Sequence, residues 1–197
     1  MINPGFHQIP RGMVATIVTY LEMTSPPQAA DAPLPAGYAF HRHTHAAPDW
    51  YRGMFRAVGE DWLWLSRLKM DDDALTAVLH HPDYELWTLQ HHGADVGLVE
   101  IDHRTADTSE LAFFGLIPAA VGKGLGRAMM GHALSRGFSR PIQRMHLHTC
   151  TFDSPQALGF YRRSGFKIIL QKVEVAEDPR LAGQLPITAA AHIPVLK

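Results

Sequence analysis

The chain has 197 residues, of which 46% are hydrophobic and 19% are charged, a profile typical of a globular protein with one sizeable core. Its formal net charge is −1, so it lacks the overall basic field that would hold nucleic acid or a membrane surface. The single cysteine, Cys150, excludes an internal disulfide and suits a reducing compartment. Because no segment is apolar enough for a signal peptide or a membrane span, we expect one cytoplasmic domain over residues 1–197, without nucleic-acid or membrane partners.

The first half of the chain predicts a strand, two helices and a β-hairpin. A β-branched segment predicts the strand, apolar residues at helical spacing predict the helices, and a His-His-Gly turn between two apolar segments predicts the hairpin. Asp71 is suited to cap the second helix. The elements are a strand at 13–23, a proline-rich loop at 25–37, helices at 49–58 and 71–80 with a short helical or irregular piece at 60–68, and strands at 84–90 and 95–102.

The second half predicts three strands, two helices and an extended tail. The strand at 144–150 alternates apolar and polar residues, which indicates that one of its faces is buried. Ser154 is expected to cap the last helix, which Gly165 closes. In order, the elements are strand 110–117, helix 125–138, strand 144–150, the short helix, strand 166–175 and a surface tail at 176–197. The whole pattern predicts an α+β fold with a mixed central sheet of about six to seven strands.

A glycine-rich turn, VGKGLG, joins the strand at 110–117 to the helix that follows. The first turn of a helix presents unpaired backbone N–H groups and the positive end of the helix dipole, and glycines let an anion approach the main chain. Lys123 and Arg127 add positive charge beside it. The turn has neither the glycine spacing of a dinucleotide-binding fold nor the Lys-Ser/Thr pair of a P-loop, so by itself it predicts only an anion site.

A second motif, TFDSPQALGFYRRSGFK, follows the strand at 144–150. Over about residues 110–166, the two stretches together resemble the GNAT family of acetyl-CoA-dependent N-acetyltransferases. The pyrophosphate loop of that family reads Gln/Arg-x-x-Gly-x-Gly/Ala, and its last core helix ends in a tyrosine followed by a Gly-Phe step, matched here by Tyr161, Gly165 and Phe166. Two positions depart from the family: Val121 replaces the usual Gln or Arg, and Ser154 replaces a common cofactor-binding Asn.

The resemblance implies an α/β/α sandwich of GNAT topology and transfer of an acetyl group from acetyl-CoA to a primary amine in a ternary complex. It implies that Tyr161 protonates the departing sulfur. We expect acetyl-CoA to be the co-substrate and no metal to take part. The strand ending in Leu116 and Ile117 would splay from its neighbour and offer free backbone N–H groups to the acetyl carbonyl and the pantetheine arm. The implied cofactor-binding residues are Leu116, Ile117, Val121, Gly122, Lys123, Gly124, Leu125, Gly126, Arg127 and Ser154.

Two carboxylates are candidates for the base that the attacking amine requires. Glu110 heads the strand before the glycine turn, near the position of the general-base glutamate in the histone-acetyltransferase branch of the family. Regular alternation would place it on one face with Ala112, Phe114 and Leu116, an apolar setting that raises the pKa of a carboxyl. Glu100 is the second candidate: it interrupts an apolar strand and needs either a partner, a pocket or the open side of the sheet.

The histidines permit other interpretations. His41, His43 and His45 alternate along one segment, and His146 and His148 share a strand face, so a metal site is one reading. Without a cysteine or carboxylate cluster beside them, surface or pocket-lining histidines are the more economical interpretation, and residues 41–51 then become a hypothesis for the acceptor pocket. Cys150 is expected to be a small packed residue.

A non-enzymatic reading stays open beside the acetyltransferase. In it, the chain is a GNAT-shaped module that binds a CoA thioester or a protein partner without turnover. The sequence does not identify the amine acceptor. Homodimers are common in the family, and the sequence leaves a homodimer open.

Overall fold

A mixed β-sheet forms the centre of the structure, a computed structural model that describes residues 3–26 and 33–197. The described chain contains seven strands and four α-helices. The strands are β1 (Met13–Met23), β2 (Tyr38–His43), β3 (Tyr84–His91), β4 (Ala94–Asp102), β5 (Thr108–Leu116), β6 (Arg144–Cys150) and β7 (Lys167–Glu177), and the helices are α1 (Pro48–Gly59), α2 (Asp72–Leu79), α3 (Leu125–Gly137) and α4 (Ala157–Arg163).

The strands lie in the order β2-β3-β4-β5-β6-β1-β7. All neighbours are antiparallel except β5 and β6, which are parallel. The predicted α+β fold with a mixed sheet of six to seven strands is therefore confirmed. Since parallel strands need a crossover connection, the glycine turn and α3 are carried over the sheet between β5 and β6.

Helices cover both faces of the sheet, each over its own apolar cluster. On the first face, α3 and α4 pack on strand residues that include Leu21, Met145 and Leu147. On the second face, α1 and α2 pack on the other cluster, in which Tyr51 and Phe55 are completely buried. Burying a large apolar side chain contributes roughly 1.5–3 kcal/mol, so the two clusters hold the three layers together. No helix within residues 3–26 and 33–197 is long and apolar enough to cross a bilayer.

Most predicted elements agree with the structure to within a few residues, and β6 has the predicted bounds. The Asp71 cap is also present, because its side chain accepts the N–H of Ala74 at 2.8 Å. The prediction missed β2, which pairs with β3 at the edge of the sheet. The Ser154 cap was wrong, since α4 begins three residues later with Gln156 at its N-cap. Of the predicted loop at 25–37, positions 27–32 lie outside the described residues.

An extra residue in β5 changes which of its side chains share a face. Opposite β4, Ile101 pairs with Leu111 and Glu100 pairs with Phe113, so Ala112 forms a β-bulge. Leu111 and Phe114 consequently both belong to the cluster under α3, although regular alternation would separate them. Glu110 therefore lies on the α1 face with Phe113, and the predicted face shared with Phe114 and Leu116 was wrong.

The C-terminal segment is folded around a buried ion pair and is not the extended tail that the sequence suggested. Arg180 and Asp178 are almost fully buried, and their side chains meet at 2.8 Å. The Arg180 guanidinium also donates to the backbone carbonyls of Ala189, Ala190 and Ile193. Because a buried cation must have all its donors satisfied, this arginine fixes the turns of residues 178–197.

Candidate active site

The parallel strands β5 and β6 separate after a short paired stretch. They pair from Thr108 opposite Arg144 to Glu110 opposite His146 and diverge beyond that point. The gap opens into a cleft of about 1140 Å³ whose walls come from both faces of the sheet. Gly126 and Tyr161 line it on the α3 side, and Trp64 and Glu110 line it on the α1 side. Such a gap is a place where a ligand can reach from one layer of the protein to the other.

The glycine turn lies at one end of this cleft. Gly122 and Gly124 have φ angles of 83° and 76°, a left-handed backbone that favours glycine. A Cβ on either glycine would meet no atom within 4 Å, and α3 starts directly after Gly124 without a side-chain cap. Open space in front of uncapped N–H groups, beside the exposed Lys123 and Arg127, fits a phosphate-bearing group.

Tyr161 lies deep on the α3 side of the cleft. It is 9% exposed and packs edge-on against the rings of Phe114, Phe160 and Phe166. Its hydroxyl makes no hydrogen bond to another described residue. Burial raises the pKa of the Tyr161 phenol well above its ordinary value, and the negative charge of Asp153 adds to the effect. The phenol therefore stays protonated at neutral pH and can act as a proton donor.

Glu110 lines the same cleft from the other face. Its Oε1 lies 3.7 Å from Nδ1 of His148, and its side chain is 32% exposed. The contact with His148 lowers the pKa of the Glu110 carboxyl, with burial opposing and His146 assisting. The expectation that an apolar setting raises this pKa was wrong, because the bulge and the neighbouring strand surround the carboxylate with imidazoles.

Glu100 lies away from the cleft, under α1. It is completely buried and accepts hydrogen bonds from the hydroxyls of Tyr51, at 2.6 Å, and Tyr84. The guanidinium of Arg67 lies 3.8 Å away. Burial raises the pKa of this carboxyl, but three partners surround it and it does not line the cleft. Glu100 thus has the partner that the sequence required and a position suited to stability.

The predicted cofactor residues divide into two groups. Leu116, Val121, Gly126 and Ser154 line the cleft; the others, Ile117, Gly122, Lys123, Gly124, Leu125 and Arg127, do not, and all but Ile117 belong to the glycine turn and the start of α3.

The backbone of Leu116 and Ile117 differs from the expectation. The N–H of Ile117 donates to the carbonyl of Val96 at 3.0 Å and is not free. Since successive N–H groups of a strand point to opposite sides, the N–H of Leu116 is directed to the side where β6 has diverged. Of these two residues, therefore, Leu116 is the one that can offer its N–H to a ligand carbonyl there.

The three histidines of β2 and the segment after it do not form a single cluster. The His43 ring packs between His41 and Trp50, and its Nε2 lies 2.9 Å from Thr88 Oγ1. His45 contacts His80 instead. No residue from 41 to 51 lines the cleft, so the structure does not place the hypothetical acceptor pocket there. In the part of the chain that is described, no group of three or more His, Cys, Asp or Glu side chains is arranged to hold a metal ion.

Sequence reasoning did not assign Asp153 and Trp64 to the site, and it named His148 only as a metal ligand or a surface or pocket-lining histidine. His148 lies on β6, Asp153 lies in the turn after it, and Trp64 comes from the loop after α1. The indole N–H of Trp64 donates to Asp153 Oδ1 at 3.2 Å, while Asp153 Oδ2 accepts from the Thr149 hydroxyl at 2.6 Å. Trp64 and Asp153 are 89 residues apart in the chain, and no spacing in the sequence indicates their contact.

Cys150 also lines the cleft and is half-buried. Burial raises the pKa of its thiol, assisted by the charge of Asp153. Because the thiolate is the nucleophilic form, this cysteine is poorly suited to form an acetylated intermediate.

The comparisons agree with this fold. Residues 44–166 match the model of the acetyltransferase (GNAT) family, and the chain belongs to that family. A comparison with curated proteins gives no match.

Solved structures share the fold at low sequence identity. The chain superposes on a GCN5-related N-acetyltransferase from Kribbella flavida with a TM-score of 0.55 at 17% identity, covering 87% of this chain and 63% of that one. An acetyltransferase of the GNAT family from Novosphingobium aromaticivorans gives a TM-score of 0.57 at 13% identity, covering 87% of this chain and 70% of that one. A tandem GNAT protein from the clavulanic acid biosynthesis pathway gives a TM-score of 0.60 at 14% identity, covering 87% of this chain and 54% of that one. The chain thus spans less than two thirds of the first and third structures.

Proposed function

We propose that the protein is a cytoplasmic N-acetyltransferase that moves the acetyl group of acetyl-CoA to a primary amine by direct attack in a ternary complex. The observation that carries the proposal is the cleft between β5 and β6, which joins the glycine turn and Tyr161 on one face to Glu110 on the other. The raised thiol pKa of Cys150 supports direct attack over a covalent intermediate. The single cysteine supports a reducing compartment.

The cofactor supplies the acetyl thioester, and the chain supplies its binding and the proton transfers. The glycine turn, with Lys123 and Arg127, would hold the pyrophosphate, and the N–H of Leu116 would receive the acetyl carbonyl oxygen. The amine nitrogen bonds to the acetyl carbon and the carbon–sulfur bond breaks. Glu110 assists the removal of a proton from the amine, directly or through an intervening group. The Tyr161 hydroxyl donates a proton to the sulfur.

Calorimetric titration with acetyl-CoA tests the cofactor site. We expect wild-type protein to bind and Gly124→Trp to bind at least about tenfold more weakly, because the indole would fill the open space before α3. Gly183→Trp is the matched control: Gly183 also has a positive φ, of 70°, and open surroundings, but it lies in the C-terminal segment. Equal loss in both variants would point to backbone strain and would contradict the assignment of the turn.

Thiol release from acetyl-CoA distinguishes the enzyme from a non-catalytic module. The module is the alternative that Val121 and Ser154 favour, because both residues depart from the family pattern. The assay uses a panel of primary amines: spermidine, kanamycin, glycinamide and Nα-acetyl-lysine. Release of CoA that depends on one of these amines supports the transferase and identifies the class of acceptor. Binding of acetyl-CoA without release by any of them supports the module.

We also propose a homodimer, formed through the outer edge of β7. All eleven residues of this edge strand are exposed. With Ile17 of β1, Val173 and Val175 form an apolar patch in which each side chain is 39–47% exposed. A long apolar edge strand invites pairing, and antiparallel pairing about Val173 would place Lys172 of each copy opposite Glu174 of the other.

Sedimentation velocity tests the dimer. We expect Val173→Lys to shift the protein toward a monomer, because it buries like charges at the two-fold axis. Ile187→Lys, at an exposed apolar residue of the C-terminal segment, should leave the assembly unchanged. Lys172→Glu should weaken the dimer, and the swap Lys172→Glu/Glu174→Lys should restore it. A wild-type monomer at all concentrations would exclude the interface.

A further inference from the structure

A histidine stands beside Glu110 where the two strands diverge. Glu110 and His146 form the last pair between β5 and β6. Along β6, His148 is the next residue on the same face, and it is the first residue of that face without a partner on β5. Its Nδ1 lies 3.7 Å from Glu110 Oε1, and both side chains line the cleft. The mechanism given above makes no use of this imidazole.

One carboxylate, Glu110, lies close to the half-exposed imidazole of His148, and two more, Asp153 and Glu174, line the same cleft. The contact with Glu110 raises the pKa of His148, partial burial opposes it, and Asp153 and Glu174 contribute in the same direction as Glu110. The Tyr20 ring from β1 packs at 5.6 Å between centroids. On the same strand, burial lowers the pKa of His146. The pKa values of these two histidines are therefore shifted in opposite directions. The difference comes from what faces each ring.

The chemistry favours the imidazole as the proton acceptor. A base works best when its pKa lies near the working pH, whereas the contact with His148 lowers the pKa of Glu110. With Nδ1 facing the carboxylate, Nε2 is the ring nitrogen left to take a proton. A carboxylate that faces Nδ1 favours the tautomer with its proton there and orients the ring, as in other acid–base dyads.

We propose that His148 accepts the proton of the attacking amine at Nε2 and that Glu110 is a positioning residue that holds the ring through Nδ1. The proposal rests on the acetyltransferase function proposed above. As the nitrogen forms its bond to the acetyl carbon, an N–H bond breaks and its proton moves to Nε2, while the thioester carbon–sulfur bond gives its electron pair to sulfur. His148 then returns the proton to solvent.

Rates measured across pH with acetyl-CoA and the most active amine of the panel test the assignment. For the wild type we expect kcat/KM to fall below an apparent pKa above 6.5, because His148 must be neutral to accept a proton. His148→Gln should lower kcat by about 100-fold and remove this acid limb. Glu110→Gln should keep the limb but move it to lower pH, since the imidazole loses its carboxylate. His146→Gln is the matched control and should stay within about threefold of the wild type.

Ionisation of the amine itself affects all four proteins alike, so the comparison between variants isolates the protein's group. If Glu110→Gln removes the acid limb and His148→Gln retains it, Glu110 is the direct base and the proposal is wrong. Loss of the limb in His146→Gln alone would also overturn it. If no amine of the panel is acetylated by the wild type, the proposed function itself fails, which is a different result.

NMR titration of the histidine ring protons gives a readout besides activity. The signal missing in His148→Gln identifies His148, and we expect it to titrate above 6.5 in the wild type and lower in Glu110→Gln. Acetyl-CoA affinity should be unchanged in both variants, since neither residue lies in the glycine turn. An apparent pKa of His148 that is the same in Glu110→Gln as in the wild type would contradict the pairing of Glu110 with His148.

Discussion

Tyr161→Phe is expected to lower kcat for acetyl transfer by about 100- to 1,000-fold without changing the affinity for acetyl-CoA. The substitution removes one hydroxyl and keeps the ring, which packs against Phe114, Phe160 and Phe166. Only the proton donor at the α3 side of the cleft is lost. The thiol-release assay and calorimetry measure the two quantities separately.

The size of this effect follows from where the hydroxyl lies. Burial raises the pKa of the Tyr161 phenol, so the proton is present throughout the neutral range. The same low-polarity surroundings would raise the basicity of a thiolate that departs beside it. The rise in the basicity of the thiolate offsets the rise in the phenol pKa, so proton transfer from the phenol to the sulfur remains feasible in the cleft. Without the hydroxyl, the sulfur must leave as a buried, unsolvated anion.

Tyr38→Phe is the matched control. Tyr38 lies on the edge strand β2, stacks on His91 and does not line the cleft. We expect this variant to have wild-type activity. Activity of Tyr161→Phe within about threefold of the wild type would show that another group or water protonates the sulfur.

The sequence was sufficient for most of the fold because its signals are local. The alternation in β6 and the turn between β3 and β4 each depend on residues within one element or two adjacent ones. In contrast, β2 was missed because its short sequence, YAFHRH, has no strong alternation, and pairing with β3 stabilises it. The C-terminal segment was misjudged because its organising group, Arg180, binds carbonyls from nine to fourteen residues away.

The candidate site was harder to predict because its parts meet only in the folded sheet. The resemblance pointed to Glu110 and Tyr161, and the structure places both on one cleft. It could not reveal the bulge at Ala112, which depends on how β5 packs against two clusters, nor the approach of His148 from a separate strand. The partners of Glu100 come from three different elements, so its role was undecidable from the sequence.

Arg67→Met is expected to destabilise the fold by about 3–5 kcal/mol, the usual cost of leaving a buried charge without its partner. The Arg67 side chain is 14% exposed, its guanidinium lies over the Phe113 ring, and it donates to the hydroxyl of Tyr84. Glu100 is fully buried and would keep only the two tyrosine hydroxyls. Urea unfolding followed by circular dichroism measures the loss.

The loss should depend on pH, and its sign follows from linkage. Burial already raises the folded-state pKa of Glu100 above its unfolded value, and removal of the guanidinium raises it further. A carboxyl with a raised folded-state pKa contributes stability below its unfolded pKa, about 4.3, and that contribution disappears as the pH rises through the folded-state pKa. The deficit of Arg67→Met relative to the wild type should therefore be larger at pH 8 than at pH 5.

Two further variants separate an unpaired charge from lost packing. Arg67→Met/Glu100→Gln leaves no buried charge without a partner. It should therefore regain most of the stability and lose the pH dependence of the deficit. Arg144→Met breaks an exposed pair with Glu22 and should cost no more than about 1 kcal/mol. If the double variant is as unstable as Arg67→Met at both pH values, packing of the arginine on Phe113 and Tyr84 carries the effect. Glu100 would then be held by the tyrosines alone, as a protonated acid inside the α1 layer.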